Sequence, residues 1–104
     1  MIELTSKQRK ILEKAAQPMS AIVIIGGAGV SEEQINQIKT VFKTHELIKI
    51  KFNEFKDEKK ELSSSIAKET ESTLVRIIGN VAIFYKAAEK ISERQYEKLL
   101  LKTK

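Results

Sequence analysis

Apolar positions along the chain recur in two rhythms, one helical and one alternating. Ile11, Leu12, Ala15 and Ala16 return at helical spacing and predict a buried helix face. Thr5 and Gln8 are placed to form a capping box at its start, with Leu4 as the staple residue. Gln17-Pro18 ends it, because proline disfavours helical geometry in the residue before it. Ala21-Ile22-Val23-Ile24-Ile25 is rich in β-branched residues and predicts a strand covered on both faces. Gly26-Gly27-Ala28-Gly29 breaks that strand. Ser31 with Gln34 predicts a second capping box, and Ile35, Ile38, Val41 and Phe42 mark a second helix.

After a short turn at Thr44-His45-Glu46 the rhythm becomes alternating. Ile48, Ile50 and Phe52 point one way and Lys49 and Lys51 the other, which predicts a strand with one core face and one wet, basic face. Asn53 to Lys56 reads as a loop. Asp57 is expected to open a third helix, with Leu62, Ile66 and Ala67 inward. Thr73 to Ile78 and Val81 to Tyr85 read as strands joined by a two-residue Gly79-Asn80 hairpin. Ser92 with Gln95 predicts a last cap, followed by a helix docked through Tyr96, Leu99 and Leu100. The order is α-β-α-β-α-β-β plus a C-terminal helix. It predicts an α/β fold, a two-layer domain with a mixed four-stranded sheet.

Composition narrows the function. The 104 residues, 41% apolar, suit one domain with a modest core. Cysteine is absent, which excludes disulfides, thiolate catalysis and cysteine-based zinc sites. The longest apolar stretch, Ala21 to Val30, is about half of a membrane span. Charge begins at Glu3 and Lys7 with no apolar segment behind it. A cytoplasmic protein without a membrane partner is therefore expected. The net charge is +5. Residues 86–104 hold six basic groups (Lys86, Lys90, Arg94, Lys98, Lys102, Lys104) against Glu89, Glu93 and Glu97. The main body is thus close to neutral, and an anion-binding surface there requires segregation of charge.

The glycine loop is the first candidate for such a surface. A strand, then Gly26-Gly27-Ala28-Gly29, then a capped helix lets backbone amides approach an anion closely. One reading is a sharp turn and nothing more. A dinucleotide site fails on spacing: counting from Gly26, position three is Ala28 and position six is Ser31. No Lys-Ser or Lys-Thr pair follows the glycines, so no phosphate loop is present. The remaining reading is a backbone clamp on RNA, as in other GXXG loops. Glu32 and Glu33 suit the helix dipole but oppose a phosphate set deep in the helix mouth.

Three segments in order, Leu4 to Lys10, Ile25 to Ser31 and His45 to Lys51, resemble the YhbY/CRM-domain RNA-binding proteins. Leu74 to Asn80 and Phe84-Tyr85-Lys86 resemble the same family. The likeness runs over about residues 3–86, with His45 to Lys51 its most specific part. It implies an RNA-binding domain over residues 1–86, followed by a helical extension over 87–104. It also implies a fold similar to the C-terminal domain of bacterial translation initiation factor three. Bacterial single-domain members associate with precursors of the large ribosomal subunit. The implied function is non-catalytic binding of structured ribosomal RNA in large-subunit assembly, with RNA or a pre-ribosomal particle as partner and no cofactor. Members usually carry a basic residue just after the first loop glycine. Here Gly27 stands in that place, and neighbouring lysines are expected to carry more of the load.

Those lysines are readable. Lys7, Lys10 and Lys14 line one face of the first helix, Lys49 and Lys51 share one side of their strand, and Arg76 lies on a nearby strand. With Gly26, Gly27, Ala28 and Gly29 they make the expected RNA-binding set. Any single lysine is better explained by ordinary solvation, and it is the set beside a glycine loop that points to RNA. A small protein-interaction module docking on a ribosomal protein or assembly GTPase is the alternative function. The tail cations recur every four residues with acids three residues after Lys86, Lys90 and Arg94, a pattern for neutralisation within a helix. His45, the one histidine, fits a turn or core position better than a metal site. Phe42, Phe52 and Phe84 read as core, and Phe55 and Tyr85 as candidates for base stacking.

Overall fold

The computed structural model describes residues 3–103. Helix α1 (Ser6–Ala16) begins with the expected box: Thr5 Oγ1 accepts the Gln8 amide at 3.2 Å, and Gln8 Oε1 accepts the Thr5 amide at 2.9 Å. Strand β1 (Val23–Ile25) leads through the glycine loop to α2 (Glu32–Phe42), which starts with half of a box. Ser31 Oγ accepts the Gln34 amide at 3.2 Å, but the Gln34 side chain turns away to Gln37. Strand β2 (Leu47–Phe52) follows. Asp57 does not open the third helix. It lies within a 3₁₀ turn (Lys56–Glu58), and α3 runs over Lys59–Thr70 without a side-chain cap.

Strands β3 (Thr73–Ile78) and β4 (Val81–Tyr85) form the expected hairpin, and Gly79 supplies the positive φ of 60° that its tip requires. The sheet is mixed, in the order β1-β2-β4-β3. β1 lies parallel to β2, as a helical crossover demands, and the other pairs are antiparallel. The expected α/β domain with its four-stranded mixed sheet is present.

Two apolar clusters lie on opposite faces of the sheet. On one face α2 and α3 bury Ile35, Ile38, Phe42 and Ile66 against Ile25, Ile50, Phe52 and Phe84. On the other, Leu12 and Ala16 of α1 cover Leu47, Val75, Ile83 and Tyr85, joined by Leu100. The helical layer on one face is thus accompanied by a partial cover on the other. That partial cover leaves β1 different from its expectation. Ile22 and Ile24 are 42% and 53% exposed, so β1 is not buried on both faces. α1 lies over β2, β4 and β3 on this face, and the edge strand β1 keeps Ile22 and Ile24 open.

The C-terminal segment also departs from expectation. Ser92 does not cap a helix: residues Ile91–Glu93 form a 3₁₀ turn, and α4 spans Glu97–Lys102 alone. The Gln95 amide goes instead to Glu46 Oε1 at 2.6 Å, and the second carboxylate oxygen takes the Ala88 amide at 2.7 Å. A buried glutamate 49 residues away therefore wins the amide that a local cap would have used. Leu100 docks, whereas Leu99 is exposed. Since residues 86–96 are not an α-helix, the tail cations form no helical stripe, and Lys104 lies outside the described residues. The expected neutralisation does occur in two places, Arg94–Glu97 at 2.9 Å and Lys90–Glu93 at 4.0 Å.

Candidate nucleic-acid interface

The sheet register fixes the geometry of the site. On the α1 side, Ile24 pairs with Lys51, Lys51 with Val81, and Val81 with Ile78. This row crosses all four strands at the sheet end from which the glycine loop departs. The next row holds Lys49, Ile83 and Arg76. Alternation alone would put Arg76 beside Leu74 on the opposite face. A bulge at Val75 shifts the register between Leu74 and Arg76 and turns the arginine toward α1. Arg9 stabilises the bulge, donating through Nη1 to the carbonyls of Leu74 and Val75 at 2.9 and 2.7 Å.

Lys10, Glu13 and Lys14 of α1 and the following Gln17 face Lys49, Ile78, Val81 and Ile83 across a cleft of about 440 Å³. Of the expected cations, Lys10, Lys14 and Lys49 thus share one wall-to-wall space. Lys51 adjoins it in the sheet row, and Arg76 closes one side through its contact with Glu13 at 3.3 Å. Lys7 continues the α1 stripe beyond the cleft. The six side chains are not equally available. Lys49 Nζ donates to the carbonyls of Gln17 and Met19 at 3.1 and 3.0 Å and so finishes α1. Lys7, Lys10, Lys14 and Lys51 are exposed and unpaired among the described residues.

The glycine loop is a turn closed by its own backbone, with the Gly29 amide donating to the Gly26 carbonyl at 3.0 Å. Gly29 has φ 71°, and a Cβ there would meet the Phe55 ring at 3.4 Å. Its role is conformational, and its amide is not free for a ligand. Gly27 and Ala28 are exposed, and their amides have no partner among the described residues. A Cβ on Gly27 would meet nothing within 4 Å. The part of the loop most open to an anion is therefore Gly27-Ala28.

Phe55 keeps 41% of its surface exposed beside this loop and holds a left-handed φ of 57°. It is still placed for a ligand. Tyr85 is not. It is buried, meets Tyr96 edge-to-face at 6.2 Å between centroids, and burial, aided by Glu46, pushes its phenol up to about 12. His45 sits in the turn, exposed, with Nδ1 2.9 Å from the Thr44 hydroxyl.

A second cleft, about 510 Å³, lies at the other end of α2 and α3. Lys39, Lys43, Lys86 and Lys90 line it together with Glu69, Glu71, Glu89 and Glu93. Its charges cancel, so it lacks the cationic excess of the α1 cleft. Among the described residues, no three His, Asp or Glu gather where a metal ion could sit, and no helix is long and apolar enough to cross a membrane.

The CRS1 / YhbY (CRM) domain matches residues 4–86, the segment that carries the loop, the sheet and the α1 cleft. An "RNA-binding protein" of Haemophilus influenzae is 32% identical over 90 residues, covering 86% of this chain and 91% of that protein. The "Probable RNA-binding protein YqeI" of Bacillus subtilis is 31% identical over 87 residues, covering 83% and 91%. The solution structure of the Staphylococcus aureus protein SAV1595 superposes with a TM-score of 0.74 at 35% identity, over 89% of this chain and 98% of that one. The chain belongs to the CRS1/YhbY (CRM) domain family.

Proposed function

We propose that the protein binds RNA without catalysing a reaction on it, and that its target is ribosomal RNA during large-subunit assembly. The observation that carries the reading is the gathering of Lys10 and Lys14 of α1 with Lys49 and Lys51 of β2 on one side of the sheet, at the end from which the Gly27-Ala28 loop departs. In a nearly neutral body, that grouping creates a local cationic field suited to a phosphate chain. The names of the two bacterial relatives agree with RNA as the partner.

Phosphates meet Lys7, Lys10, Lys14 and Lys51 directly. The Gly27 and Ala28 amides offer hydrogen bonds at the loop. Contact with about five phosphates predicts a slope of about −3.5 to −4.5 in log K against log salt. A slope near zero contradicts the surface. For the target, crosslinking in cell extract followed by sequencing of the attached RNA should enrich large-subunit ribosomal RNA. Association with pre-ribosomal particles that survives complete nuclease digestion contradicts the RNA reading and favours docking on a protein.

A further inference from the structure

We propose that the row Ile24–Lys51–Val81–Ile78 is a platform for unpaired nucleobases, so that the RNA held here is single-stranded. The inference rests on RNA as the partner and specifies its form. Ile24 and Ile78 end the row with 53% and 49% of their surfaces exposed, Val81 is half-buried, and Lys51 is exposed between Ile24 and Val81. Three interstrand steps separate the two isoleucines, about 14 Å. Sheet-based RNA readers lay two or three bases on aromatic side chains of their strands, and this row offers aliphatic side chains in that place.

The chemistry of the row matches a nucleotide chain more closely than other occupants. A single strand offers apolar base faces and a phosphate at every residue. The row offers aliphatic surface on both sides of a cation, with unpaired Lys10 and Lys14 along the facing helix. A duplex hides its base faces and would leave the exposed isoleucines in water. A protein partner would have to bury Lys51 in the middle of its contact, and lysine is depleted from the centres of protein interfaces. The acid in this cleft, Glu13, is already engaged by Arg76 at 3.3 Å. Ile24 precedes Gly26 by two residues, so the row lies at the sheet end next to the loop.

Fluorescence anisotropy on a labelled RNA of about ten nucleotides, free or annealed to its complement, tests the proposal. The wild-type chain should bind the single strand about tenfold more tightly than the duplex. The double variant Ile24→Ser/Ile78→Ser should lower single-strand affinity about five- to tenfold and leave duplex affinity unchanged. Lys51→Gln should weaken both. Half-exposed positions tolerate such changes, and a thermal melt verifies the fold. Equal wild-type affinity for the two RNAs overturns the platform while leaving the phosphate surface standing. Unchanged single-strand binding by the double variant also overturns it. Failure of both RNAs to bind at low salt overturns the platform and the RNA reading together.

Discussion

The Arg76 guanidinium lies 3.3 Å from the Glu13 carboxylate, an ion pair that ties the bulged strand β3 to helix α1 at the side of the lysine cleft. Glu13 thereby withholds one cation from any polyanion. Glu13→Gln should tighten RNA binding about two- to fivefold and steepen the log–log salt slope by about 0.7 to 0.9. Filter binding at several salt concentrations measures both. The pair is half exposed, so the melting temperature should barely move.

The two ends of the loop should separate function from stability. Gly27→Glu introduces a charge where its Cβ meets no neighbour, so it should weaken RNA binding about three- to tenfold with an unchanged melt. Gly29→Ala must hold φ near 71°, with its Cβ in van der Waals contact with the Phe55 ring. It should cost about 1–2 kcal/mol of stability. A denaturant titration of both variants checks the contrast.

Glu46 fastens the C-terminal segment through the Ala88 and Gln95 amides at 2.7 and 2.6 Å. Hydrogen bonds to an ionised acceptor are the strong kind. Glu46→Ala should cost about 2–4 kcal/mol. Hydrogen exchange should show these two amides losing protection, with α2 retaining its own relative order.

Tyr85 should make stability fall at high pH. In the folded chain its phenol is pushed up to about 12 by burial and by the nearby carboxylates of Glu46 and Glu97. In the unfolded chain it ionises near pH 10. Its contribution is complete below about pH 10 and is lost as pH rises toward 12, at about 1.4 kcal/mol per pH unit. Tyr85→Phe should remove that component, seen as the difference between two stability–pH curves.

Local features of the fold were legible in the sequence because they need few residues. The Thr5–Gln8 box spans four residues and forms as read. The Gly79-Asn80 hairpin needs a glycine at its tip and has one. Features decided by distant partners were not legible. The β-branched run at Ile22 to Ile25 reads as fully buried, but how far a helix reaches across a sheet is settled by tertiary packing. The same holds for Lys49, whose partners are the carbonyls of Gln17 and Met19, 32 and 30 positions away in the chain. Arg76 reads as a residue of a nearby strand and is one, whereas the bulge that turns it toward α1 has no signature in an apolar run. Gly29 reads as a clamp residue, yet its amide closes the turn and leaves Gly27-Ala28 to face a ligand.

The most direct test of the central claim is an amide chemical-shift titration of the protein with a large-subunit ribosomal RNA fragment. Perturbations should concentrate at Gly27, Ala28, Lys10, Lys14 and Lys51. Perturbations concentrated instead around Lys39, Lys43, Lys86 and Lys90, with the loop and α1 unchanged, would contradict the account.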